Sequence, residues 1–563
     1  SHFGSRSQFA AHNSAASRFG RSEFFQQGTI MEVVRPLSGL PRFFPLSLLL
    51  AFSAAVVAAH GSQEAHLPAE CDFAVVGGGW AGVYSAFRVA ESGRGVCLFE
   101  ATERIGGRTY SKTFQVGRPG EHFTLDVGAY RFSPDMHLPG DVILKLLQLP
   151  VACYEPTCPD AGLDFPPPFH FNYTAPLVRI VDVAGQPAGY VTAIEGLVKR
   201  LLASGHGQVF FGERLTDASL PNGSTGGVRL EFGSGRAVIA NNVMLNLPRS
   251  SLLGLPTLRA QTSERIVKAQ ECVKFDLPSD MFKPGQKMSL GRSLTKAYAF
   301  YDEAWWHTRL NKTVGQWPEN AFIPVNTSQG IPIGIHFNDG PVHCDKPLVG
   351  CRGFLEVFYS TAEETFFEDL RPDPQHPAGV LTSSDDPSGK LSRLHAAVME
   401  ATGPLWKETA ASPPTAPPTM LVVGVWDREG QGLTAPTKVF YSTSESVPGG
   451  PDPLEKACGV QGLTEDEYRK SMLSPLAGDL RVLVANNDWV AMRTEDLFGD
   501  WAEESLLQAE RGMRLLGLPR PDWLDAAYYE AKVAAFAELG AFPPAQWAAK
   551  VGAQWTAEVE MLV

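Results

Sequence analysis

Gly77, Gly79 and Gly82 stand at G-x-G-x-x-G spacing, directly after the apolar run Phe73–Val76 and ahead of a helix-like stretch that begins near Trp80. Glycines so placed do one kind of chemistry: they hold phosphates. The first makes a tight turn, the second lets the backbone approach a pyrophosphate, and the third lets the helix pack closely on the strand. That helix, read to about Ser92, points its dipole and the first amides, those of Trp80 and Ala81, at the phosphates. A second apolar run, Gly95–Phe99, ends in Glu100, an acid placed to accept hydrogen bonds from ribose hydroxyls. Strand, turn, helix, strand and acid in this order specify a dinucleotide site. The pattern alone leaves NAD and FAD open, because both present an ADP half.

The residues that follow narrow the choice. Arg104, Gly106, Gly107 and Arg108 come immediately after the ribose-binding acid. They would bring a second backbone segment and two guanidiniums onto the pyrophosphate, an enclosure suited to a cofactor that stays bound. Here the chain resembles the flavin-containing amine oxidases, whose members include monoamine, polyamine and L-amino-acid oxidases. The resemblance implies FAD. No cysteine stands where the family attaches its flavin covalently, so the flavin is expected to be non-covalent.

The same resemblance implies roles for further residues. Gly128 and Ala129 would lie against the flavin ring with Tyr130 beside them, and Arg131 would fork onto a substrate carboxylate, for which a planar bidentate donor is suited. The bland alternative is Arg131 paired with a nearby acid such as Asp135. Lys296, in the alternating run Leu294–Tyr301, matches the family lysine that holds a water near the flavin, where burial would lower its pKa. Otherwise it is a charge at a strand end. Tyr359 would give its hydroxyl to the carboxylate, or else simply pack. Leu215 would pack near the adenine, and Asp488 would bind ribityl or phosphate-side hydroxyls. Trp501 would wall the substrate, and the amides from Ala502 onward would meet the flavin ring. Asp500 departs from the glycine the family carries before that Trp.

The elements that must position these groups divide the chain. The expected fold is an α/β FAD-binding domain, Rossmann-like and discontinuous, built from 70–132, 189–255 and 476–527. An inserted α+β substrate-binding domain would take 133–188 and 256–475, with 528–563 as a C-terminal tail. Gly189–Leu202 reads as a helix, and Gln208–Gly212, Val228–Phe232, Ala237–Ala240 and Asn242–Leu247 as strands. Leu480–Ala485 reads as the closing strand. Pro-rich stretches at 165–169, 372–390 and 411–419 read as loops.

Length and charge agree. A chain of 563 residues needs more than one core, and a net charge of −13 argues against nucleic-acid or anionic-membrane surfaces. Residues 1–30 precede the first Met and read as an upstream or non-native segment. From Met31 the chain gives Arg35 and Arg42, then an apolar run from Leu46 to Ala59, the layout of a secretory signal over 31–60. An uncleaved anchor is the rival, weakened by Pro45 and the many Ala and Ser. Sequons at Asn172, Asn222, Asn311 and Asn326 agree with a secreted, glycosylated protein without stable membrane insertion after cleavage. Among eight cysteines, Cys153/Cys158 and Cys344/Cys351 are close enough for short disulfides, whereas Cys97 reads as a buried small hydrophobe. No Cys/His spacing suggests a metal such as zinc.

The expected activity is deamination of L-amino acids to 2-oxo acids, with oxygen as acceptor and ammonia and hydrogen peroxide released. A homodimer is among the expected assemblies. The alternatives are a monoamine or polyamine oxidase, or a flavoprotein without turnover.

Overall fold

The computed structural model describes residues 67–133, 136–153, 177–220, 226–271, 276–277, 288–289, 294–321, 323–360, 365–370, 377–426, 439–441, 470, 473–476, 479–486, 491–493 and 502–537. All of them fall in one compact unit, His66–Val563. The signal-like run at 31–60, the sequons at Asn172 and Asn222, Cys158, Asp488, Asp500 and Trp501 lie outside the described residues.

In chain order the described elements begin with β1 (Glu70–Val76), helix α1 (Trp80–Glu91) and β2 (Val96–Phe99). The hairpin β3–β4 (Ser111–Phe114, Phe123–Asp126) follows, and then α2 (Val191–Ala203). Next come β5 (Gly207–Phe210), β6 (Leu215–Ser219), β7 (Val228–Phe232) and β8 (Ala237–Leu245). Val238 through Leu245 form one continuous strand where the sequence suggested two. β9 (Leu294–Tyr301), β10 (Ile335–His336), β11 (Arg352–Ser360), β12 (Ala378–Thr382), α3 (Lys390–Ala401) and β13 (Met420–Trp426) precede β14 (Val482–Val484) and α4 (Ala502–Leu515). β12 corrects the reading of 372–390 as wholly loop, since Leu381 and Val380 pair with Leu421 and Val422.

Two sheets organise these elements. In the first, β5, β2, β1, β8 and β14 run parallel, and β7 and β6 add antiparallel at the edge beyond β8. Its central strands are apolar without alternation because both faces are covered. One face carries α1, α2 and α4 through Phe73, Val75, Leu98, Leu197 and Leu506; the other packs Val76, Phe99, Phe210 and Leu245. α1 is buried from Trp80 to Ala90. Two of its polar side chains find an internal partner: Tyr84 and Arg88 both donate to the fully buried Glu510 of α4, at 2.5 and 2.8 Å.

The second sheet runs β10–β11–β9–β13–β12, with the short strand Gln316–Trp317 beyond β10. α3 packs on one face through Leu391, Leu394 and Val398. The other face, Tyr298, Phe300, Phe354 and Val422, meets Phe123, Leu125 and Val127 of the β4 region. The chain leaving β4 is thereby pressed onto the second sheet, which positions the site.

The structure also corrects one cysteine. Cys97 is bonded to Cys71 on the neighbouring strand, so it is not a lone buried hydrophobe, while Cys344–Cys351 pair as their spacing suggested. Cys153 is disulfide-bonded. No helix among the described residues is long and apolar enough to cross a membrane.

Candidate active site at the glycine turn and the lysine strand

The phosphate turn is built as its glycines require. Gly77 has φ +101°, and a Cβ there would sit 2.2 Å from the Asn246 carbonyl oxygen. A Cβ on Gly82 would sit 1.8 Å from the Gly77 oxygen, so α1 can approach β1 only through glycine. The side chains of Trp80 and Ala81 are buried, Trp80 against Tyr190, leaving their backbone amides as the groups the helix start can offer. Glu100 is half-buried; one oxygen accepts from the Gly78 amide at 2.7 Å and the other from the Thr102 amide and hydroxyl. Leu215 lies close by at the start of β6, half-buried, just beyond Glu213, whose amide bonds to the Glu100 carbonyl.

A second backbone segment closes on this turn. The Gly106 amide donates to the Gly78 carbonyl at 2.8 Å. Gly107, at φ +57°, backs onto Gly79 so closely that a Cβ on it would meet Gly79 Cα at 3.3 Å. Arg104 braces this loop: it donates to the Gly107 carbonyl at 2.8 Å and lies 4.7 Å over the Tyr110 ring. Burial lowers its pKa, and its Nε is buried without a hydrogen-bond partner. An unpartnered guanidinium donor beside a glycine cradle that a Cβ would fill fits an anionic diphosphate. Arg108 sits half-buried on the same loop.

The Gly128 turn is joined to this loop. Its amide donates to Tyr110 and that of Ala129 to the Arg108 carbonyl, both at 3.0 Å, which fastens the turn to the Arg-Gly-Gly loop. Ala129 is exposed between the buried Gly128 and Tyr130. From the other sheet, Lys296 Nζ donates to the Gly128 carbonyl at 2.7 Å, and Trp426 Nε1 donates to the Val127 carbonyl at 3.0 Å. Lys296 is only 2% exposed and its ammonium stands 3.4 Å from the Tyr130 ring centroid. Burial lowers its pKa from 10.5 to about 7, with Glu356 and Asp126 opposing. Lys296 is thus mid-strand and buried, not a strand-end charge.

A β-bulge brings further groups to the lysine. Lys296 pairs with Tyr359 and Ala297 with Phe358, but Tyr298 pairs with Glu356, leaving Val357 as the extra residue. Val357 and Phe358 both pack into the core beneath α3. Glu356 and Tyr359, three apart and normally on opposite faces, consequently share the face of Lys296 and Tyr298. The lysine ammonium lies 5.0 Å from the Tyr359 ring centroid. Arg131 is half-buried, with its guanidinium 4.6 Å from the Tyr130 ring, and Tyr130 meets Tyr359 edge-on at 6.1 Å.

Four groups here were not singled out in the sequence. Asp126, whose pKa burial raises, accepts from the Ser111 hydroxyl and the Tyr190 amide. His336, Asp339 and Glu356 place their ligating atoms within 4.8 Å of one another. Burial, followed by the Arg131 and Lys296 charges, drops His336 to about 3, so its imidazole is neutral. A carboxylate in the apolar run Phe354–Phe358 was the available signal for Glu356. The structure thus gathers Gly77, Gly79, Gly82, Glu100, Arg104, Gly107 and Arg108 at one turn, and Gly128, Ala129, Tyr130, Arg131, Lys296 and Tyr359 at another. Ala502 opens α4, half-buried, and the next residue, Glu503, accepts from the Leu138 amide and the Tyr528 hydroxyl.

A family model described as an NAD(P)-binding Rossmann-like domain matches residues 75–138. Over 80 residues, 14% of each chain, the sequence is 36% identical to Aplysianin-A of Aplysia kurodai. Over 66 residues, 12% of this chain and 13% of the relative, it is 41% identical to putrescine oxidase of Kocuria rosea. The matches therefore span about a seventh of the length of these curated relatives. Solved structures of putrescine oxidase variants redesigned in cofactor binding align over 80% of this chain and 99% of theirs, at 12% identity and TM-scores of 0.46 and 0.43. The Rossmann-like dinucleotide-binding fold is present, and over part of its length the chain is similar to putrescine oxidase.

Proposed function

We propose that this protein is an FAD-dependent oxidase that deaminates L-amino acids, with oxygen as acceptor. The observation that carries the reading is Arg131: a half-buried residue whose guanidinium lies 4.6 Å from the Tyr130 ring, next to Ala129 and in the same cluster as Tyr359 and the buried Lys296. Non-covalent FAD would lie along Gly77–Gly82, Glu100, Arg104, Gly107 and Arg108, with its ring against Gly128 and Ala129. The segments 70–132, 189–255 and 476–527 would form its domain, and 133–188 and 256–475 the substrate domain. Leu215 would face the adenine, Asp488 the ribityl side, and Trp501 and Ala502 the ring and substrate.

A bound flavin supplies hydride acceptance from the carbon bearing the amine and return of the electrons to oxygen, giving peroxide. The protein's residues position and charge-balance. Arg131 and the Tyr359 hydroxyl hold the substrate carboxylate, which fixes the amine-bearing carbon. Lys296, poised to be neutral near pH 7, holds or moves a proton at Nζ. The disulfides among the described residues, with the signal-like run over 31–60, support a place in the secretory route or outside the cell.

The test is anaerobic bleaching of the flavin absorbance by a panel of L-amino acids and of amines without a carboxylate. Amino acids should bleach the parent and fail in Arg131→Ala with FAD retained. Bleaching by simple amines, indifferent to that substitution, would favour the second reading, a monoamine or polyamine oxidase, for which the stretch shared with putrescine oxidase speaks.

A further inference from the structure

Behind Arg131 and Lys296 lie two acids that the proposed chemistry does not use. Glu356, on β11, is fully buried, and Asp339, just after β10, is 8% exposed. None of their four carboxyl oxygens receives a well-formed hydrogen bond from a donor group. An ionised carboxylate buried without donors is costly, and two side by side more so. Yet each faces the other closely enough to be the other's hydrogen-bond partner. One added proton resolves both defects, because a protonated carboxyl donates and its neighbour accepts.

The surroundings say where that proton belongs. Asp339 faces Arg131 and the Tyr130 hydroxyl, and His336 Nδ1 lies 3.5 Å from it. Glu356 faces Lys296 and Tyr298. Tyr359 and, farther off, Asp126 complete the titratable groups about the pair. The permanent cation, Arg131, favours charge on Asp339; the lysine beside Glu356 is the group that burial drives toward neutrality. We propose that Glu356 and Asp339 share one proton, Glu356 as its donor and Asp339 as the standing counter-ion of Arg131, so that the pair positions Arg131 and leaves Lys296 without an ion partner. Burial raises both acids, in keeping with a proton held between them. Both are positioning residues acting through Arg131 and Lys296, and their part in turnover rests on the oxidase reading.

Infrared spectroscopy of the flavin-loaded full chain at about pH 8, well above an ordinary carboxyl pKa of about 4, tests the shared proton without turnover. A protonated-carboxyl carbonyl band that shifts in D2O should be present, and should be lost in Glu356→Gln and in Asp339→Asn. An unchanged band in either folded variant overturns the proposal, and either variant suffices should the other fail to fold. The pH profile of flavin reduction separates positioning from mere support. Glu356→Gln keeps a donor and no charge, so the midpoint stays near the parent's. Asp339→Asn releases Glu356 to ionise against Lys296, which stays protonated to higher pH, so the midpoint rises by about 1 unit, a tenfold change in proton affinity. Equal midpoints in the two variants overturn it. Should no amine reduce the flavin while the band behaves as stated, the oxidase reading fails and the shared proton stands.

Discussion

Lys296 Nζ lies 2.7 Å from the Gly128 carbonyl oxygen, tying the buried face of the second sheet to the turn that follows β4. The carbonyl accepts one N–H, and the Tyr130 and Tyr359 ring centroids lie 3.4 and 5.0 Å away, so the ammonium exchanges water for one hydrogen bond and two aromatic rings. These do not replace full hydration, which is why burial outweighs the nearby acids in its pKa.

Stability should carry the mark of that lysine. Its folded pKa of about 7 lies below the ordinary 10.5, so between those values the unfolded chain holds a proton the folded one lacks. Stability therefore rises with pH across this window, and the cost of burying the charge is full below about pH 7. Lys296→Met should remove this contribution, about 2 kcal/mol between pH 7 and 9. Urea midpoints of the two proteins over that range decide it; parallel courses would contradict the lowered pKa.

Arg131→Lys should separate charge from shape. The ammonium keeps the positive charge beside Tyr130 and Asp339 but loses the planar fork. KM for an amino acid should rise about tenfold to a hundredfold, the worth of one charge-assisted hydrogen bond. Amines without a carboxylate should be handled as by the parent. Equal losses for both substrate classes in steady-state assays would remove the carboxylate role.

The contrast between these residues and the glycine turn shows what a sequence exposes. Gly77, Gly79 and Gly82 work within one turn, so their spacing alone specifies the cradle. Lys296 and Tyr359 were visible as members of a pattern, but their pairing depends on a bulge at Val357 that no local spacing announces. Glu356 reaches the same face only through that bulge, and Asp339 and His336 arrive from a different strand and loop. Cys71 and Cys97 were hidden for a related reason: their contact depends on the parallel pairing of β1 with β2, set by the whole sheet.

The glycines of the turn should fail in different ways. Gly82→Ala forces a methyl to within 1.8 Å of a backbone oxygen, so α1 must shift, at a cost of about 1–3 kcal/mol or more. Gly79→Ala meets its nearest atom, the Asn246 side-chain oxygen, at 3.2 Å and leaves the fold intact, but narrows the space facing Gly107. Gly82→Ala should therefore lower the thermal midpoint, while Gly79→Ala should weaken flavin retention with the apoprotein's melting unchanged. Flavin release on gel filtration, set beside calorimetry of the stripped proteins, distinguishes them. A stability loss in Gly79→Ala as large as in Gly82→Ala would refute the division.

The two described disulfides should differ in worth. Cys71–Cys97 closes a separation of 26 residues and Cys344–Cys351 one of 7. Loop-closure entropy gives about 3.5 kcal/mol for the longer loop and about 2.4 kcal/mol for the shorter. Cys71→Ala with Cys97→Ala also leaves two small apolar side chains in a buried layer, so no polar group is stranded there. The double variant should keep its flavin and lose more stability than the Cys344→Ala, Cys351→Ala pair. Denaturant midpoints under oxidising conditions measure the difference. A larger loss from the seven-residue loop would show that strain or unfolded-state structure, not chain entropy, governs these bonds.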